Sequence, residues 1–569
     1  MKALRSLFIS CLFLQLGCSL HPKKIIERTE VTNKTLAIST SEPLASQVAA
    51  DIFKQGGNIV DAAVAASFVV SVIRPQSTGI GGGGFLLYYN ARQKRTLALD
   101  FREVAPIKAT TEMYLKDGKV IEDLPTTGAK AVAVPGLIAG LYDFHHRYGK
   151  LKWAKVVAPS AVIAESQISV SKHMSDRLIL EKEDLEHSSE LKALFFKEGR
   201  LLREGETFSN PDLAKTLRKI GKFGKDYFYK GEFAEKLVDW MKKNNGLITE
   251  EDLSSYRVKM RTPIQSKYRE FSITSFPPPS SGGIGLIQIL KIYDLISDSF
   301  RKQYGTRVME IEAMKRAFID RAFLLGDPDF VKIPVHDLLS NQYLKSRADE
   351  ISNKKILPSA EILPWSKEKR NHETTHLSFI DGEGNAISTT QTVNVYFGAK
   401  VVIPGTGVIL NDTMDDFSIQ PGVKNHFELV GGRRNRIQPG KRPVSSMTPT
   451  LVFDAQNRVK LVAGAPGGSQ IITQVYHVLS RILREKETPE SAIESCRFHH
   501  QWVPDKVVIE PDCFKSFKPL EKIYTLQKAK TPFYDVLVVG REPDGKLFSV
   551  IDPRGHGKPV IAHRAQIFN

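Results

Sequence analysis

The sequence predicts an α+β protein in which helices cover antiparallel sheets, and three observations carry that class. The run IVDAAVAASFVVSVI, ending at Ile73, is apolar nearly all round, as a helix enclosed between layers must be. GFLLYYN and TLALDF, separated by residues 91–95, alternate like paired strands. THLSFID and AISTTQTV flank the turn Gly382-Glu383-Gly384-Asn385 and read as a β-hairpin.

Taken in order, residues 1–18 are an export signal, with a positive start at Lys2 and Arg5 and an apolar stretch too short to span a bilayer comfortably. Leu16-Gly17-Cys18 has the form of a bacterial lipoprotein cleavage box, with Gln15 where leucine is usual, so lipidation at Cys18 and simple secretion both stay open. Residues 19–33 are polar and read as a mobile stretch. Residues 41–73 form two helices broken at Gly56-Gly57, with Asn58 capping the second. Pro75 ends that helix before TGIGGGGF.

The region 134–329 is rich in helix, including AVPGLIAGLYDFHHRYG, a charged amphipathic run over 178–202 and AEKLVDWMKKN. FPPPSSGG at 276–283 is a rigid turn before the helix GLIQILKIYDLI. Residues 351–373, with Pro358, Pro364 and KEKRN, read as an exposed linker, which leaves Thr374 at the head of a strand. PTLVFD and VKLVAGA form another hairpin around Gln456-Asn457, and Pro466-Gly467-Gly468-Ser469 leads into the helix QIITQVYHVLSRIL. The last strands fall in TPFYDVLVVGRE and KLFSVID.

The 569 residues include 80 Lys and Arg against 63 Asp and Glu, a net charge of +17. That excess is dispersed and has no aromatic stacking platform beside it, which argues against a nucleic-acid partner. Beyond the signal only Cys496 and Cys513 remain, enough for one disulfide or two free thiols, but not for a disulfide framework or a cysteine metal site.

His372-Glu373-Thr374-Thr375-His376 matches the HExxH zinc-protease pattern, which works only when both histidines share one helix face. Here the second histidine opens an alternating strand and two β-branched threonines hold the centre, so no metal is expected. The adjacent pairs His145/His146 and His499/His500 diverge on any regular element and read as structural or surface residues.

Chemistry emerges from an ordered set of motifs. TTHLSFIDGEGNAIS, QTVNVYFG, NDTMDDFS, PGKRPVSSMTPT, GAPGGSQIIT and RFHHQW resemble, in order and spacing, the small subunit of the γ-glutamyltransferases, members of the N-terminal nucleophile hydrolases. GGNIVDAAVAASF, STGIGGGGFLLYY, LDFREVAP, AVPGLIAGL, FPPPSSGGIGL and AFIDRAFLLGDPDF resemble the large subunit, so the likeness runs from about Ala37 to Arg554.

The resemblance implies a four-layer αββα sandwich built jointly by two subunits that one chain makes by cutting itself between Glu373 and Thr374. Residues 37–373 become the large subunit and 374–569 the small one, together a heterodimer. It also implies roles. Thr374 is the nucleophile, its new amino terminus serving as the base, and Thr392 supports its hydroxyl. Gly467 and Gly468 offer backbone N–H groups as an oxyanion hole. Arg102, with Ser445 and Ser446, takes the substrate α-carboxylate, while Asp416 and Asn394 take the α-ammonium.

Thr413 stands in this binding set where the family generally has Gln or Glu, a departure that removes one expected acceptor. Residues 420–442 resemble a lid loop, with Phe427 where related enzymes often carry a gating tyrosine. The substrates implied are glutathione and other γ-glutamyl compounds with amino-acid or peptide acceptors, in a periplasmic or extracellular setting, without a cofactor and with no membrane contact beyond an anchor at Cys18. Two alternatives are a glutaryl- or cephalosporin-type acylase on the same scaffold, and an exported lipoprotein that binds γ-glutamyl compounds without turnover.

Overall fold

The computed structural model describes residues 25–353, 356, 358, 359, 374–420 and 422–564. The signal segment with Cys18, and the linker end carrying His372 and Glu373, lie outside the described residues.

Two seven-stranded sheets form the centre. The first runs, in spatial order, Lys259–Arg261, Arg95–Phe101, Gly83–Asn90, Ala386–Thr392, Thr375–Asp381, Thr35–Thr40 and Val560–His563. The second runs Ile26–Thr29, Leu547–Val550, Leu537–Arg541, Val459–Gly464, Thr450–Phe453, Phe271–Ser275 and Ile264–Tyr268. Every pairing within them is antiparallel. Both sheets interleave strands from before and after Thr374, so neither half of the chain could bury its apolar faces alone.

The strand Gly83–Asn90 shows how alternation builds the layers. Leu86 and Tyr88 face the helices Pro43–Lys54, Ile59–Ile73 and Leu137–Tyr148, while Phe85, Leu87 and Tyr89 face the second sheet. Helices Gly282–Leu295, Thr306–Leu324 and Gln470–Ser480 cover the outer side of that sheet, completing four layers, αββα.

Hydroxyls also join the two sheets. Ser39 Oγ donates to the Val550 carbonyl (3.0 Å), Ser549 Oγ to Ile38 (2.6 Å), Ser378 Oγ to Leu537 (3.1 Å) and Ser388 Oγ to Ala463 (3.1 Å). Such cross-layer bonds fix the register of one sheet on the other, which greasy contact alone leaves adjustable.

The helix Ile59–Ile73 is buried along all but its last residue and begins as expected. Asn58 Oδ1 accepts the Val60 and Asp61 amides at 3.0 Å, and Asp61 Oδ2 accepts the Asn58 amide at 2.7 Å, a reciprocal capping box. The three strand pairs, the two last strands and the helix starts read from sequence stand where expected, with differences elsewhere. Ile26–Thr29, inside the stretch read as mobile, is an edge strand paired with Leu547–Val550. Four residues of mixed polarity give no periodic signal, and the partner supplies the order.

The strands Lys259–Arg261, Ile264–Tyr268 and Phe271–Ser275 interrupt the helical middle region. The run 178–202 is short helices, among them Lys182–Glu186 and Ser189–Phe195, followed by a two-residue-strand hairpin. Cys496 and Cys513 form a disulfide. The histidine pairs are structural or surface residues: His145 Nε2 meets Asp61 at 3.0 Å, His146 is exposed beside Tyr142, and His499 and His500 are buried among polar partners.

Candidate active site

The register of the central hairpin, Thr375 opposite Gln391, sets Thr374 across from Thr392. Their hydroxyl oxygens lie 3.5 Å apart, and Thr392 Oγ1 also accepts the Asn394 amide at 2.8 Å. Asn394 has φ of +84°, a left-handed conformation that asparagine tolerates better than most residues. The kink lets strand Ala386–Thr392 end at the cleft.

Thr374, Thr392, Asn394, Arg102, Asp416, Ser445, Ser446, Phe427 and Gly468 all line one cavity of about 290 Å³. Gly468 stands at the start of helix Gln470–Ser480, whose positive end favours developing negative charge. Gly467 lies just behind with φ of +118°, and a Cβ there would come within 2.6 Å of the Tyr534 ring. Glycine is therefore required on steric and conformational grounds.

The charged side of the cavity is an ion pair. Arg102, fully buried, donates through Nη2 to Asp416 and lies 3.3 Å from Glu103 through Nη1, while its Nε has no partner among the described residues. A buried guanidinium with an unused donor is a site waiting for an acceptor. Burial pushes the Asp416 carboxyl up, against the downward pull of Arg102 and Arg321. Asn425, on the lid, reaches Asp416 Oδ1 at 3.4 Å, and Asn435 donates to the Asp416 carbonyl at 2.7 Å.

Thr413 lies outside the cavity lining: its hydroxyl donates to Glu103 Oε1 at 3.0 Å, so it steadies the carboxylate beside Arg102. Sequence reasoning passed over Glu103 and Arg321. The first was hidden as the neighbour of a better candidate, and the second sits in the last turn of helix Thr306–Leu324, 219 positions from Arg102 in sequence (321 − 102). Arg321 donates to Ser281 Oγ at 3.1 Å, Ser281 in turn donates to the Ser445 carbonyl at 2.7 Å, and burial lowers the Arg321 guanidinium to about 10. Met447, Leu429 and Ile471 add apolar walls.

The described part of the HExxH pattern, residues 374–376, is not helical. His376 sits on the strand Thr375–Asp381, facing Thr390 Oγ1 at 2.8 Å and Ser378 Oγ at 3.0 Å, and burial depresses its imidazole to about 3.

Behind the cavity, Asp412 accepts the Val395 amide at 2.9 Å with one oxygen and leaves the other buried without a partner among the described residues. Burial raises its carboxyl to about 8. A carboxyl whose folded value exceeds its unfolded one stabilises below the unfolded value, and that contribution is lost as pH rises towards the folded one. Asp412→Asn is therefore expected to match the parent near pH 4 and to melt higher by a growing margin up to about pH 8, where the margin levels off, as read by thermal melts across pH.

The chain is similar to known proteins over most of its length. The family model for gamma-glutamyltranspeptidase matches residues 45–562. The chain is 41% identical over 527 residues to the glutathione hydrolase proenzyme of Escherichia coli (strain K12), covering 91% of this chain and 90% of that one. It is 41% identical over 538 residues to the glutathione hydrolase proenzyme of Pseudomonas aeruginosa, covering 92% and 94%. Among solved structures, cephalosporin acylase from Bacillus halodurans superposes with a TM-score of 0.84 at 26% identity, over 98% of this chain and all of that one. A chain of Helicobacter pylori gamma-glutamyltranspeptidase gives 0.55 at 40% identity, over 59% of this chain and 97% of that one. With the family matched along nearly its whole length, the chain belongs to the γ-glutamyltranspeptidases.

Proposed function

We propose that this protein cuts itself before Thr374 and then uses that threonine to transfer γ-glutamyl groups from glutathione and related amides to water or to an amino-acid or peptide amine. The observation that carries this reading is the Arg102–Asp416 pair, with the spare Arg102 Nε, in the same cavity as Thr374.

In the first step Thr374 Oγ attacks the Glu373 carbonyl carbon, the peptide C–N bond breaks, and the nitrogen takes up the hydroxyl proton to become a free amine. Water then hydrolyses the resulting ester and separates residues 37–373 from 374–569 as large and small subunits. The new α-amine, with an ordinary pKa of about 7.7 to 8.0, takes the Thr374 hydroxyl proton near neutrality. The oxygen attacks the substrate γ-carbonyl, and the charge that develops lies towards Gly467 and Gly468 at the helix start. The leaving amine departs with the proton, and water or an acceptor amine resolves the γ-glutamyl ester.

The zwitterionic substrate head can replace the resting ion pair charge for charge. Its carboxylate takes Asp416's place on Arg102, helped by the Ser445 and Ser446 hydroxyls, and its ammonium takes Arg102's place on Asp416, beside Asn394. Both buried charges thus keep a partner in the free and the bound state, which limits the desolvation cost of binding.

A glutaryl-type dicarboxylic side chain has no ammonium and would bring Asp416 no cation, so the acylase reading ranks below this one in spite of the shared fold. The N-terminal segment 1–18 supports export to the periplasm or beyond, with Cys18 as the candidate anchor. No helix among the described residues is long and apolar enough to cross a membrane.

Hydrolysis of a chromogenic γ-glutamyl anilide, measured with and without a dipeptide acceptor and in the presence of a chelator, tests the reading. Turnover insensitive to the chelator supports it. Binding of the anilide without turnover would favour the non-catalytic lipoprotein.

Phe427 closes the cavity from the lid, buried there while its carbonyl accepts Gln501 Nε2 at 3.1 Å. Phe427→Ala is expected to admit water and shift product from transfer towards hydrolysis, with kcat/KM falling less than about tenfold because no charged contact is lost.

A further inference from the structure

A second cavity, about 1070 Å³ with its open mouth, lies on the helical side of the second sheet, away from Thr374. Arg269, Arg301, Arg307, Arg481 and Arg484 converge on it, against Glu310 and Glu485 as the only carboxylates in its lining.

Two of these arginines form the floor and are accounted for. Arg484, its side chain 8% exposed, lies on the Tyr293 ring at 3.8 Å and approaches Glu310 at 3.3 Å. Arg481 pairs with Glu487 at 2.8 Å. Both follow the C-terminal end of helix Gln470–Ser480, where positive charge offsets the helix dipole. Arg269 at the rim is held by Asp294 at 3.0 Å.

Arg301 also sits in the last turn of a helix, Asp298–Tyr304, but neither it nor Arg307 is held by a close carboxylate among the described residues. The nearest carboxylate to Arg301 is Asp298 at 3.9 Å and 85% exposed, a contact that water screens to almost nothing. Arg307 donates to the Ser516 carbonyl at 2.6 Å and has its guanidinium carbon over the Phe517 ring, 4.3 Å from its centre, with no carboxylate within 4 Å among the described residues. It also stands in the first turn of helix Thr306–Leu324, the end at which positive charge is unfavourable. That turn has no acidic residue, and its N-cap, Gly305, brings no side chain to cap it. A guanidinium stacked on an aromatic ring keeps its in-plane N–H donors directed outward, the geometry that grips carboxylate or phosphate oxygens.

We propose that this cavity binds a small anion with two or more separated charges, of carboxylate or phosphate chemistry, held at the rim by Arg307 and Arg301 over the Arg481 and Arg484 floor. The site is separate from the one that acts on γ-glutamyl compounds and does not depend on its activity. The anion supplies the negative charge that the start of helix Thr306–Leu324 lacks.

Calorimetric titration of the purified full protein with citrate and, separately, pyrophosphate tests this, at fixed ionic strength and with saturating glutamate filling the catalytic cavity. One saturable site is expected for at least one of them, and the tighter anion identifies the chemistry. The double variant Arg301→Gln/Arg307→Gln is expected to bind it at least about tenfold more weakly, as loss of two charge-assisted contacts implies, with hydrolysis of the γ-glutamyl anilide unchanged. No saturable binding of either anion below about 10 mM, equal binding by the double variant, or binding abolished by glutamate would each overturn the proposal.

Discussion

Thr374→Ala is expected to lose hydrolysis of γ-glutamyl amides by on the order of 10⁴-fold or more, the scale on which removing a covalent nucleophile acts. The reason is geometric. Among the residues lining the cavity, Thr374 alone combines a hydroxyl with the position at which a cut would also create an α-amine. Thr392, Ser445 and Ser446 offer hydroxyls without such a base. Thr374→Ser keeps the oxygen and the amine but loses the methyl that restricts χ1. It should retain self-cleavage and a reduced kcat, with KM little changed. If the alanine variant kept more than a few per cent of the parent rate, one of the other hydroxyls would have to be the nucleophile.

The second large effect is expected at Asp416. Replacing it with asparagine leaves Arg102 buried beside Glu103 alone and removes the anion proposed to face the substrate ammonium. Truncating one member of a buried, hydrogen-bonded charge pair costs about 2 to 5 kcal/mol. Most of that should appear in KM, because the group binds the head and not the reacting carbonyl. kcat/KM for a γ-glutamyl anilide should fall by about 10² to 10³, whereas a glutaryl anilide, with no ammonium to bind, should be affected far less. The loss of preference between the two substrates is the diagnostic, since a merely misfolded site would lose both equally. Arg102→Lys should be nearly as damaging as Arg102→Gln, because lysine lacks the planar fork.

Much of this was legible in the chain before any coordinates. The enclosed helix Ile59–Ile73, the central hairpin and the Gly467-Gly468 turn announce themselves through uniform apolarity, alternation and glycine at a strand end, all local signals. What sequence could not supply was long-range. Ile26–Thr29 is a strand only because Leu547–Val550, more than 500 positions away, pairs with it. Phe271–Ser275 gains its place from Thr450–Phe453 in the same way.

In the cavity, the residues expected to touch substrate do gather, except that Gly467 and Thr413 stand just behind the lining. Thr413 illustrates the limit. Its replacement of a longer polar residue was visible, but its bond to Glu103 depends on a fold that brings positions 103 and 413 together. The disulfide shows the same limit, since two cysteines in a sequence allow a bond without requiring one.

The central claim is that Thr374 becomes the nucleophile by becoming an amino terminus. N-terminal sequencing and intact mass of the purified protein, beside Thr374→Ala, address it most directly. The account predicts two fragments from the parent, the smaller beginning Thr374-Thr375-His376, and a single uncut chain from the variant. A parent that stays uncut yet turns over γ-glutamyl amides, or a smaller fragment that begins at any other residue, would contradict it.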